Sequence, residues 1–142
     1  MPPHARHAAL PTFLNPEGLY DPAPNGYSHL GLPASGARLV LIAGQGGEDA
    51  QGKLADDFRA QVRQALQNLQ TALRAVGGEL SHVVKQTVLV VDHSHARLGI
   101  LGDELATAYG PGAKPACTLI PVPRLALDGM LFEVEAIASV PV

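Results

Sequence analysis

The chain has 142 residues, 46% of them hydrophobic, and a formal net charge of −3 from 10 Lys and Arg against 13 Asp and Glu. That length fits one domain with an aliphatic core, and the lone Cys117 excludes a disulfide scaffold within the chain. Bases scattered among a slight acidic excess give no field for a nucleic acid or an anionic membrane surface. The start of the chain lacks a signal-peptide-like apolar stretch and no run of about 20 apolar residues follows, so a soluble cytoplasmic protein is expected.

Prolines at positions 2, 3, 11, 16, 22, 24 and 33 mark an irregular beginning, and residues 1–22 read as an arm ahead of a single domain over 23–142. The alternating piece Tyr27-Ser28-His29-Leu30 suits a first short strand. Arg38–Ala43 is apolar and of strand length, and stops at Gly44-Gln45-Gly46-Gly47. Between Leu54 and Val76, Phe58, Val62, Leu66, Leu69, Leu73 and Val76 recur at three and four. That spacing predicts an amphipathic helix, with Asp56 and Asp57 at its start and Gly77-Gly78 as its stop.

Val83–Val91 is a β-branched strand that is apolar on both faces. A second helix follows, with Ser94 as N-cap, a stripe of Leu98, Leu101, Leu105 and Ala108, and Gly110-Pro111 as its end. Two further strands are expected, Cys117–Pro121 and Met130–Ser139. The order predicts an α+β fold, a mixed sheet with two helices on one face. Nothing in the chain is left to cover the other face, which favours packing against another subunit.

Gly47–Lys53 has the spacing of a phosphate loop, but Leu54 stands where a Ser or Thr hydroxyl should hold magnesium, and Glu48 and Asp49 would repel phosphate. A solvated hairpin is the better reading. Asp92-His93-Ser94-His95 lacks an identifiable third metal ligand and reads as polar capping, and His4 and His7, in the N-terminal arm, are no better as metal ligands. No metal and no cofactor is expected. Cys117 reads as a small apolar residue unless an electropositive setting activates its thiol. Glu133 and Glu135 project from one strand face, where cover by another subunit would desolvate them. Arg124 reads as an exposed loop cation.

Several segments together resemble the RidA/YjgF (reactive-intermediate deaminase, endoribonuclease L-PSP-like) family. They are Ala23–Ser28, Val40–Gln45, Gln61–Leu69, Val83–Val88, Pro115-Ala116 and Phe132–Ala138, in the family's order. The resemblance implies a chorismate-mutase-like fold and a homotrimer with small-molecule clefts between subunits. It also implies hydrolysis of reactive enamines and imines, such as 2-aminoacrylate, to keto acids and ammonia. Carried over singly, Tyr27 matches the family's cleft tyrosine, Gly44 its strand-end backbone position and Glu133 its water-positioning glutamate. Two positions depart from the pattern: Cys117 replaces the carboxylate-gripping arginine, and Ala43 replaces a serine.

A thiol cannot reproduce the planar donor fork of a guanidinium, so ordinary 2-aminoacrylate deaminase activity is not expected. One reading places Cys117 and Glu133 beside a pocket bounded by Tyr27, Ala43 and Gly44. There Glu133 activates water against an imine lacking the carboxylate, or Cys117 acts as nucleophile with help from Glu133 or His29. The other reading is a trimer that binds a small ligand or protects proteins without catalysis. The endoribonuclease activity attached to some relatives conflicts with the acidic charge balance.

Overall fold

The computed structural model describes residues 10–142; the N-terminal start with His4 and His7 lies outside the described residues. Two short strands, β1 (Thr12–Leu14) and β2 (Leu30–Leu32), pair antiparallel as a small ribbon. Part of the stretch read as irregular therefore forms a strand, and the first-strand signal sits a few residues later than the alternation suggested. Gly31 of β2 lies directly on the Val84 backbone, where a β-carbon would overlap the Val84 carbonyl. The absence of a side chain is what lets the ribbon dock there.

The main sheet holds β3 (Arg38–Gly46), β4 (Val83–Val91), β5 (Ala116–Val122) and β6 (Phe132–Val140) in the order β3-β6-β4-β5. β4 and β5 run parallel, and β6 pairs antiparallel with both β3 and β4. Two helices, α1 (Phe58–Arg74) and α2 (His95–Tyr109), pack on one face, so the expected mixed α+β architecture is present.

Asp57 sets the start of α1: its side chain accepts from Ala60 N, so the helix begins at Phe58, the first residue of the apolar spacing. Gly77, at φ 81°, closes it. The amides of Gly77 and Gly78 donate to the carbonyls of Arg74 and Leu73, a left-handed termination that glycine adopts without strain. Val62, Ala65, Leu69 and Leu73 are fully buried against Val88, Val90, Phe132, Val134, Ala138 and Val140.

Ser94 caps α2 by accepting from Arg97 N, as its position predicts. The stripe of α2 is only partly apolar in effect. Leu101 and Leu105 are buried, whereas Leu98 is 47% exposed. Glu104 is buried because Arg59 and Arg63 of α1 both reach it, with Arg63 donating at 2.8 Å and Arg59 at 3.0 Å. The Arg63 hydrogen bond first, then that of Arg59, holds the Glu104 carboxyl below its ordinary range against the opposing effect of burial.

The face away from the helices carries Leu39 and Leu41 of β3, Glu133, Glu135 and Ile137 of β6, Lys85, Thr87 and Leu89 of β4, and Thr118 and Ile120 of β5. Leu41 is 79% exposed and Leu39 55%. No described element covers this surface. No helix among the described residues is long and apolar enough to cross a membrane.

Candidate active site

At its C-terminal end β3 breaks register with β6 between Ile42 and Gln45. Ala43 and Gly44 lie in this bulge without register partners on β6, and the Ala43 carbonyl accepts from the Gln45 side chain at 3.1 Å. The side chain of Glu133 fills the space beside Gly44 that a β-carbon would need. The structure therefore brings Ala43, Gly44 and Glu133 together at one corner of the open face.

Glu48, which the sequence marked only as hostile to phosphate, belongs to the same corner. Its carboxylate abuts Gly46, the register partner of Glu133. Asn68 of α1 holds the loop by donating to the carbonyls of Gly46 and Glu48 at 3.0 and 2.8 Å. The loop itself closes on Asp49, whose carboxylate accepts from Gln51 N and Lys53 N, in keeping with the expected solvated hairpin. Burial, then the charges of Glu48 and Glu135, push the Glu133 carboxyl above its ordinary value. A carboxyl raised this way can exchange protons nearer neutrality.

Tyr27 and Cys117 form a second group. Ser28 N donates to Pro115 O at 3.2 Å and Ser28 bridges to Ala116, which sets Tyr27 beside the start of β5. Tyr27 packs edge-on to Tyr20 and His29. Tyr27 and Cys117 line a cavity of about 1070 Å³ between β5, the Tyr27 loop and α2, walled by Val88, Leu98, Leu101, Leu105 and Leu119. Behind Cys117 stands a polar pair that the sequence did not reveal. Gln86 is buried opposite Cys117 and accepts from Tyr109 Oη at 2.8 Å. Burial raises the Cys117 thiol, outweighing the opposing effects of Gln86 and Lys85, and burial with Cys117 nearby raises the Tyr109 phenol.

Within a single chain Cys117 and Glu133 do not share a pocket, so the expected cleft between them needs two subunits. Cys117 pairs with Gln86, while Glu133 pairs with Leu89, three residues further along β4. An odd separation on one strand puts the two side chains on opposite faces. Cys117 faces the helices and Glu133 the open side. His29, the other candidate helper, turns Nε2 to the Tyr20 carbonyl at 2.8 Å. Arg124 pairs with Asp128 at 2.8 Å, both exposed, as its loop position suggested.

Residues 21–140 match the family model described as endoribonuclease L-PSP. The chain belongs to the endoribonuclease L-PSP (RidA/YjgF) family. Among its relatives in this family, the 2-iminobutanoate/2-iminopropanoate deaminase of Salmonella typhimurium is 33% identical over 102 residues, covering 70% of this chain and 78% of that protein. The RutC family protein PH0854 of Pyrococcus horikoshii is 36% identical over 107 residues, with the same shares covered. The crystal structure of YyfB, a Rid family protein of unknown function from Yersinia pestis, aligns with a TM-score of 0.86 at 36% identity. That alignment covers 92% of this chain and 98% of the other.

Proposed function

We propose that this RidA-family chain works as a homotrimer that hydrolyses an imine or enamine other than a typical 2-imino acid, in clefts between subunits. The observation that carries the reading is the split between the two half-sites. Glu133 with Gly44 lies on the open sheet face beside exposed Leu39 and Leu41, and Tyr27 with Cys117 lines a cavity at the β5 edge. Association through the open face lets Glu133 of one subunit approach the cavity of the next. The deaminase name of the Salmonella typhimurium relative agrees with C=N chemistry.

In this reading Glu133 acts as the general base. It takes a proton from water as the water oxygen bonds to the imine carbon, and the C=N electron pair moves to nitrogen. Glu133 returns that proton to the nitrogen, giving a neutral carbinolamine; it then carries the hydroxyl proton to the same nitrogen, so that the C–N bond breaks as the carbonyl forms and ammonia leaves. Tyr27 shapes the cleft wall, and the bulged backbone at Gly44 holds the substrate. Cys117, half-buried and with its thiol raised by desolvation, contributes packing rather than nucleophilic attack, because the thiolate is the reactive form.

Substrates without a carboxylate fit this cleft because Cys117 has replaced the guanidinium fork. Burying an unpaired carboxylate there costs about 2–5 kcal/mol, enough to suppress ordinary 2-imino acid turnover. The test is ammonia release from 2-aminoacrylate, generated in place, by the native protein and by Cys117→Arg. The expected result is weak release by the native protein and a clear gain in Cys117→Arg. Turnover of 2-aminoacrylate by the native protein at the level of Cys117→Arg overturns the substrate assignment.

A second reading, a ligand-binding trimer without catalysis, is favoured by the raised thiol and the missing cation. It predicts that neither protein turns over any imine while a small ligand still raises the melting temperature.

A further inference from the structure

We infer that the cavity between α2 and the β4–β5 edge receives an uncharged apolar group of the ligand, and that Gly99 and Gly102 of α2 set the size of that group. The inference rests on the cleft reading above and names its ligand class.

Three observations carry it. The first is the lining of the cavity. Val88, Leu98, Leu101, Leu105 and Leu119 make its walls apolar, on a scale suited to a small molecule. The second is the pair of glycines. Gly99 and Gly102 sit in the interior of α2 and both line the cavity. A β-carbon at either would meet nothing within 4 Å, and neither has a positive φ. Glycine weakens a helix interior relative to alanine, and nothing among the described residues requires it at these positions. Space kept open at a cost in helix stability suits a bound ligand.

The third observation is charge. Lys114 is the one Lys or Arg among the described residues lining the cavity, and its ammonium is tied to the carbonyls of Gly110 and Gly112 at 2.6 and 2.9 Å. Asp103 at the rim is engaged by Arg59, and His95 lies exposed at the first turn of α2. A ligand carboxylate driven among the leucines would lose its water with only the Lys114 ammonium, two of its three donors already engaged, as a counter-ion.

The experiment uses matched probes, 4-phenylbutan-2-one and 2-oxo-4-phenylbutanoate, which differ by a methyl against a carboxylate. Each is titrated into the nitrogen-15-labelled full chain and followed through backbone amide shifts. The ketone is expected to shift amides of residues 98–106 and 117–119 and to bind about 10-fold or more tightly than the acid. Cys117→Arg is expected to reverse that order. The double variant Gly99→Ala/Gly102→Ala is expected to melt at a higher temperature yet bind the ketone about 5-fold or more weakly, with the oligomer unchanged.

Equal or tighter binding of the acid by the native protein overturns the inference. So do ketone shifts confined to other residues, or an alanine pair that binds the ketone undiminished. A change of molecular mass in the alanine pair also overturns it, since the space would then hold a neighbouring copy. Binding does not require turnover. If the ketone behaves as expected and no imine is hydrolysed, the proposed reaction fails and the ligand class stands.

Discussion

The carboxylate of Glu133 occupies the space that a side chain at Gly44 would need, so the two residues form one unit of the β3–β6 corner. Gly44→Ala should therefore displace Glu133 while leaving the fold intact, because what must move is the end of a flexible side chain. The expected outcome is a melting change equivalent to less than about 1 kcal/mol with an imine-hydrolysis loss of about 100-fold. Gly31→Ala provides the contrast. There the obstacle is the Val84 backbone, and a loss of about 1–3 kcal/mol of stability is expected from denaturant unfolding. Full turnover in Gly44→Ala would show that Glu133 does not need its seat.

Glu133 also makes a prediction about pH. Burial first, then Glu48 and Glu135, raises its folded-state pKa above the ordinary 4.5, so the folded chain holds this proton longer than the unfolded chain does. Its contribution to stability is present below pH 4.5 and is lost as pH rises through the raised value. Melting curves across that window should show a downward slope that Glu133→Gln flattens. An unchanged slope in the variant would remove Glu133 as its source.

The buried Glu104 behaves with the opposite sign. Arg63 and Arg59 lower its folded-state pKa, so its contribution is present above the ordinary 4.5 and is lost as pH falls through the folded value. Glu104→Gln should cost about 1–2 kcal/mol near neutral pH, since both arginines remain partly solvated, and the difference from the native protein should shrink in acid. A difference that does not depend on pH would assign Glu104 to packing rather than to its charge.

Cys117 should alkylate slowly. Burial raises its thiol above the ordinary 9.0, so the iodoacetamide rate at pH 7.5 is expected about 10-fold or more below that of a free thiol and still climbing in alkaline buffer. Rapid modification at neutral pH would restore the nucleophile reading.

Leu41 is the most exposed of the apolar side chains on the open sheet face. If copies meet through that face, Leu41→Asp buries a charge at the contact, and light scattering should show the mass falling from three chains to one. A monomeric native protein would contradict association at once.

Much of the fold was legible because its signals are local. Apolar residues at three and four marked α1, a β-branched run marked β4, and Ser94 and Gly77 announced a start and a stop through hydrogen bonds made within a few residues. Where a long-range partner decides, local spacing failed. Glu104 is buried in α2 because arginines on another helix reach it, and Leu98, on the apolar stripe, opens into a cavity. Gln86 and Tyr109 went unnoticed because they lie 23 residues apart and meet only through packing.

By itself the sequence determined the two helices and the strands of the main sheet, the helix caps, the family pattern and the presence of Cys117 where that pattern expects arginine. Only the tertiary structure decided which of those residues share a face. Side chains alternate along every strand, so the parity of the β4 register with β5 and with β6 places Cys117 with the helices and Glu133 on the open side. Register is fixed by pairing between distant segments, which no local pattern contains.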